Sequence, residues 1–243
     1  MTTRENMADS LTGPPSAGAL NLKAGGVCAI VGAVVFAAAR LLHGDPPAAD
    51  PEAALHFLAS RSSYPAVHIT AVYAAVITLV GQMALASSLR RPAAWLLGRA
   101  AVASEIVGLA IFGTESTSEG LALSELAHAA ATAEPAERAG LVQAARAVAE
   151  TTHGPSLVAM ALLIGVPLLL FGLALVLDAY PSWLGWFGMV VGVVTVLAAT
   201  GLYLAPTLLP GALLYGVLGS LIAQLWLGSA GAVMLRRATG RAG

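Results

Sequence analysis

Six stretches of about twenty consecutive apolar residues run through this chain, and no other feature restricts its fold as strongly. They extend from Ala24 to Leu42, Pro65 to Ser87, Trp95 to Gly113, Pro155 to Leu177, Trp183 to Ala205 and Gly211 to Leu235. A helix rises about 1.5 Å per residue and the hydrocarbon core of a bilayer is about 30 Å thick, so each stretch can cross it as a helix. The stretches are built of Ala, Val, Leu, Ile and Gly, without the alternation of period two that barrel strands show. The expected fold is therefore all-α, a six-helix transmembrane bundle.

Composition removes the competing classes. Charged residues make up 10% of the chain and hydrophobic ones 58%, with a mean hydropathy of +0.81, whereas a soluble domain carries about a quarter charged residues. Disorder requires low hydrophobicity with high net charge, and here 12 basic residues face 13 acidic ones. The same near-neutral balance leaves no basic surface for phosphates, so no nucleic-acid partner is expected. Membrane lipids are the expected partners, and nothing in the sequence specifies an oligomeric state.

Residues 1–23, with Gly13, Pro14, Pro15 and Gly18, are predicted to form a mobile tail, and residues 236–243 a short basic one. A cleaved signal peptide ending at Phe36-Ala37-Ala38-Ala39 is the alternative for the first stretch. That stretch follows a polar segment and spans fully, so a retained helix is predicted. Lys and Arg set the orientation. With the N-terminus cytoplasmic, Arg4, Lys23, Arg90, Arg91, Arg99, Arg236, Arg237 and Arg241 fall inside, and Arg40, Arg61, Arg138 and Arg146 outside. This predicts a plasma-membrane (inner-membrane) protein with both termini cytoplasmic. All five histidines (His43, His56, His68, His128 and His153) and most acids then lie on the outer side.

Two outer segments, 43–64 and 115–154, are long, which marks structure or function. Ser116-Thr117-Ser118-Glu119 has capping-box spacing, Pro135 with Glu134 and Glu137 opens a second amphipathic helix, and Asp50-Pro51-Glu52 opens a third. These pieces are expected to lie over the mouth of the bundle or to serve as solvated connectors.

The run Tyr180-Pro181-Ser182-Trp183-Leu184-Gly185-Trp186-Phe187-Gly188, followed by Gly192, resembles a pattern of actinobacterial multi-pass membrane proteins in families of the domain-of-unknown-function type. Glu119-Gly120-Leu121-Ala122-Leu123, Pro135-Ala136-Glu137-Arg138-Ala139 and His68 near the start of the second stretch are similar to the same group. The resemblance covers most of the chain from Ala24 onward and implies a six-span inner-membrane protein, without implying an activity. Arg outnumbers Lys by eleven to one, as in high-GC bacterial genomes. Independently of any family, Tyr180, Trp183 and Trp186 suit the membrane interface, with apolar ring bodies in the acyl region and polar tips among headgroups. Gly188 and Gly192, and Gly216, Gly219 and Gly228 in the sixth stretch, are expected to permit close helix contact.

Polar groups within the apolar stretches are the strongest pointers to chemistry, because a charge at mid-bilayer costs about 2.5–3.5 kcal/mol. Glu105 lies near the centre of the third stretch and has to be protonated, paired or beside water. Arg99, six residues away, lies about 120° around the helix and can snorkel to the interface instead. His68 sits one turn into the second stretch, with Gln82 nearly four turns further on the same stripe. Glu105 and His68 are the candidate acid/base residues, unless each simply bonds a neighbouring helix. Gln82, Glu115, Glu119 and His153 are the candidate ligand-binding residues. No metal site and no cofactor are expected, since successive histidines are 13, 12, 60 and 25 residues apart and form no His-x3-His or His-Glu-x2-His pair. Cys28 stands alone and reads as a small core residue. No P-loop, Gly-x-Ser-x-Gly or dinucleotide fingerprint occurs.

Three function classes remain. The first is binding of a small or lipidic ligand, or of a partner, at the outer face. The second is a membrane-embedded enzyme using Glu105 and His68 on a lipid-like substrate. The third is a small proton-coupled transporter, which the absence of a three-plus-three repeat disfavours.

Overall fold

The computed structural model describes residues 17–47, 50–206 and 214–240. These residues form six membrane-length helices and one short helix, with no strand among them. Helix α1 covers Ala17–His43, α2 Pro51–Ala59 and α3 Tyr64–Ser88. Helix α4 runs over Pro92–Thr132 and α5 over Pro135–Leu177. Helix α6 covers Ser182–Leu204, and α7 joins the π-helical turns Tyr215–Ile222 to the α-helix Ala223–Thr239. The all-α expectation is met. Helix α1 starts seven residues ahead of the apolar run, so Ala17–Lys23 of the expected tail are helical. Residues 1–16, the start of the sixth stretch at 211–213, and Arg241 lie outside the described residues.

The second long connection differs from expectation. Ser116 does not cap a new helix, and α4 continues through it to Thr132. No proline or exposed glycine interrupts this stretch, and its hydroxyls bond back along the helix: Thr117 donates to Gly113 at 2.8 Å, Ser118 to Thr114 at 3.1 Å and Ser124 to Gly120 at 2.7 Å. The helix widens into a π-turn over Ser118–Ala122, and α5 does so over Met160–Gly165, just beyond its internal Pro155. Pro135 opens its helix as expected, but that helix is the start of α5 itself. Asp50 caps α2 as its sequence indicates, accepting from the backbone N–H of Glu52 at 3.0 Å and of Ala53 at 3.1 Å.

Helix α1 packs chiefly on α3 and α7, and α5 on α6 and α4. Small residues allow these approaches. A Cβ on Gly81 would stand 2.8 Å from the Ala29 backbone, and one on Gly172 would stand 2.4 Å from the Met189 backbone. Gly188 and Gly192 lie against α5 and Trp226 as predicted, whereas Gly228 faces open space and Gly231 makes the contact to α1 instead. Trp183 and Trp186 are 54% and 58% exposed, as interfacial anchors require. Tyr180 departs from that role: it is buried, its hydroxyl pairs with Ser88 Oγ, and the Arg237 guanidinium lies 3.8 Å above its ring. Arg99 lies 4.3 Å over the Trp95 ring. The core at this end centres on Trp226, fully buried against Phe171 with its indole N–H donating to Leu184 O at 2.8 Å.

The same end is tied by Asp178, in the short α5–α6 connection. Its Oδ2 accepts from the backbone N–H of Arg90 at 2.7 Å and of Arg91 at 3.0 Å, the entry to α4, and its Oδ1 accepts from Ala179 at 2.7 Å. Burial pushes its carboxyl up, but the three backbone donors and Arg237 outweigh that and hold it below the usual carboxylate range. A depressed folded value means that the stabilisation is complete above the ordinary carboxylate pKa and is lost as pH falls through the lowered one. Asp178→Asn should therefore cost about 1.5–3 kcal/mol at neutral pH and flatten the acid limb of a thermal-stability profile in detergent; an acid limb like that of the unsubstituted protein would show that the brace carries no stability.

Candidate functional site

The opposite end of the bundle holds a cavity of about 360 Å³. Its walls are apolar, with Phe36 and Ala39 from α1, Val67 and Ala71 from α3, Phe112 from α4, Leu157 from α5 and Leu202 from α6. Polar side chains line it as well: Arg40, His43, Asp45, His68, Glu119 and His153 toward the helix ends, with Glu115, Ser116, Ser156 and Ser220 further in. Helix α2 packs Leu55 and Leu58 against Leu123, Ala127 and Ala130 in the upper part of α4, covering this end from one side.

The polar cluster is built by three helices. His43 closes α1, Tyr64 and His68 stand one turn apart at the start of α3, and Glu119 projects from the π-turn of α4. The two imidazole Nε2 atoms lie 3.3 Å apart. Glu119 Oε1 is 3.9 Å from His43 Nε2, and Oε2 is 3.8 Å from His68 Nε2. The Tyr64 hydroxyl donates to Glu119 Oε1 at 3.1 Å and lies 3.1 Å from His43 Nε2. On the far side of the rings, His68 Nδ1 donates to the Tyr64 carbonyl at 3.0 Å and His43 Nδ1 to the Gly44 carbonyl. Gly120 is what lets α4 come this close, because a Cβ there would stand 2.6 Å from His68 Cβ. One turn below Glu119, Glu115 is buried, accepting from Ser156 at 2.8 Å and from Ser116 at 3.5 Å. At the rim, Arg40 and Asp45 form an ion pair at 2.7 Å.

Of the residues singled out from sequence, His68, Glu115, Glu119 and His153 line this cavity and Glu105 and Gln82 do not. Glu105 is 1% exposed, and its Oε2 has no hydrogen-bond partner among the described residues. It shares α4 with Glu115 but lies ten residues lower, about 15 Å along the axis. Gln82 shares the buried stripe of α3 with His68, yet fourteen residues separate them by about 21 Å. An acid/base pairing of Glu105 with His68 therefore has no geometric support. His43 and Tyr64 were not singled out. Tyr64-x3-His68 is the available signal, since that spacing puts a phenol and an imidazole on one helix face.

Together the fold and the cavity define an integral membrane protein of the multi-pass helical class, with its polar cluster at one end of the bundle. Comparison with family models, with curated proteins and with solved structures gives no match to this chain.

Proposed function

We propose that this protein binds a small or lipidic ligand in the cavity bounded by His43, His68 and Glu119, at the outer face of a bacterial plasma membrane with both termini cytoplasmic. The observation that carries the reading is the cavity itself, apolar along its walls and polar at one end. Its volume is about 360 Å³, within the roughly 300–1,000 Å³ range of ligand pockets. An acyl or other apolar moiety fits against Phe36, Ala71 and Phe112, while a headgroup meets the imidazoles, carboxylates and Arg40. The orientation is supported by the eight-to-four division of Lys and Arg between the two ends.

A photoactivatable fatty acid in proteoliposomes tests the reading. Crosslinks are expected on peptides carrying Phe36, Ala71 or Phe112, and Ala71→Phe, which fills the cavity, should reduce them at least tenfold. Crosslinks confined to lipid-facing positions such as Val190 and Leu197, 59% and 65% exposed, would overturn it. In whole cells of a Cys28→Ala background, Ser60→Cys should react with an impermeant maleimide and Ser87→Cys only after permeabilisation; the reverse pattern would invert the orientation.

A further inference from the structure

The cluster of His43, His68 and Glu119 has more lone pairs than protons. A neutral imidazole carries one N–H, and hydrogen-bond partners assign it here. Both Nδ1 atoms face backbone carbonyls, of Gly44 and of Tyr64, so the proton of each neutral ring sits there and each Nε2 is left as an acceptor. The two acceptors nevertheless face each other at 3.3 Å, with both Glu119 oxygens alongside. The Tyr64 hydroxyl gives its single proton to Glu119, and Glu115 bonds Glu119 from one turn below, so neither supplies a proton between the two Nε2 atoms. Acceptors converging in this way, half-buried to buried, call for a positive charge at their centre.

A proton shared by the two imidazoles or a metal ion would supply that charge; the spacing of the ligand atoms suits a metal, and zinc titration separates the two. One ligand atom from each of the three residues lies within 4.8 Å of the others. A tetrahedral zinc centre with bonds of about 2.0–2.1 Å holds adjacent ligand atoms about 3.4 Å apart. The 3.3 Å between the imidazoles already meets that spacing; the two Glu119 oxygens each approach one imidazole at 3.8–3.9 Å, and bringing a single oxygen, within 4.8 Å of both, to that spacing takes a carboxylate shift of up to about 1.4 Å. A carbonyl held by the Nδ1–H of each ring is the arrangement that orients metal-bound histidines, and the Tyr64 hydroxyl does the same for the carboxylate.

We infer that His43, His68 and Glu119 bind one divalent transition-metal ion of the zinc type, leaving a fourth coordination position open toward the cavity. The metal site stands on these three residues. It rests on the ligand reading only in placing the open position where the headgroup would sit, so an anionic or carbonyl-bearing headgroup is the class favoured there.

The test uses the full chain purified in detergent, stripped with chelator and titrated with Zn²⁺. One zinc per chain is expected after desalting, with X-ray absorption showing two imidazoles and a carboxylate oxygen in its shell and with a rise in Tm that chelator reverses. His43→Ala, His68→Ala and the shape-conserving Glu119→Gln should each lower affinity at least tenfold, whereas His56→Ala, at an exposed position on α2, should leave it unchanged. Retention of less than a tenth of an equivalent would overturn the inference, as would an equal loss in His56→Ala. Should the histidine variants misfold, Glu119→Gln and the absorption spectrum of the unsubstituted protein still decide it. The two readings fail separately: fatty-acid crosslinks without zinc retention would sink the metal site alone, and zinc retention without cavity crosslinks would sink the ligand reading alone.

Discussion

Gly108→Val is expected to prevent assembly of the bundle, with little monodisperse protein recovered in mild detergent and a loss of about 3 kcal/mol or more in whatever survives. Helices α4 and α5 meet at this glycine. A Cβ there would lie 2.3 Å from the Leu163 backbone nitrogen, 2.6 Å from its Cα and 2.7 Å from the Leu162 carbonyl carbon. All three are backbone atoms of the π-turn in α5, so no rotamer change can clear the space. Separation of the helices would also strain the Ser104 hydroxyl bond to Leu162 O, 2.8 Å long. In lipid the loss is not recovered by hydrophobic rearrangement, since helix association there depends on van der Waals contact and hydrogen bonds. Gly113→Val supplies the control, because a Cβ there meets nothing within 4 Å. Size-exclusion profiles and thermal unfolding of the two variants make the comparison; equal recovery would show that the α4–α5 approach is looser than these distances require.

The second large effect falls on the polar cluster. Gly120→Ala should abolish retention of zinc at stoichiometric protein and lower its affinity at least tenfold, while the fold persists. The added Cβ would stand 2.6 Å from His68 Cβ, which is fixed to the backbone, and 2.7 Å from Cγ, so this part of α4 must move off α3 and carry Glu119 away from His68. A single methyl against one side chain beside the cavity disturbs less than a valine against three backbone atoms, so the stability loss should stay below that of Gly108→Val. Zinc content and the Tm shift on adding Zn²⁺ are the measurements. Retention equal to that of the unsubstituted protein would mean that His68 is not a ligand.

Much of this architecture is legible from hydropathy alone, because a bilayer demands about twenty apolar residues per crossing and tolerates few charges. The continuations of α4 and α5 beyond the apolar runs are less so. Glu115, Glu119, Glu125 and Arg138 end the hydropathy signal, but the surrounding Ala and Leu keep their helix propensity and the helices continue. Ser116-x2-Glu119 shows why spacing is ambiguous: the same offset that serves a cap also recurs inside a helix, and only the partners of the hydroxyls tell them apart. Tyr180 reads as an interfacial ring until its packing against Ser88 and Arg237 is seen.

For the site, the end of the bundle was readable and its membership was not. His68, Glu119, Glu115 and His153 cluster at one level because they fall at the same ends of their helices. Glu105 and Gln82 occupy the correct faces at the wrong heights, a distinction that periodicity does not carry. His43 meets His68 across 25 residues and Glu119 across 76, through the packing of α1 on α3 and of α3 on α4. Local ligand motifs record residues adjacent on one helix, so a ligand set divided among three helices leaves no such trace.

Asp178 gives this bundle unequal ends. At its own end one carboxylate clasps the α3–α4 and α5–α6 turns together, and Tyr180 with Arg237 closes over the joint. At the cavity end the connections are unequal: α2 stands between α1 and α3, whereas Ala133 and Glu134 alone join α4 to α5, and α4 carries a π-turn beside the cavity. The molecule is thus clasped at one end and hollow at the other. Whatever enters the cavity does so at the end away from the carboxylate that ties the α3–α4 and α5–α6 turns, so occupancy and that brace act on different parts of the bundle.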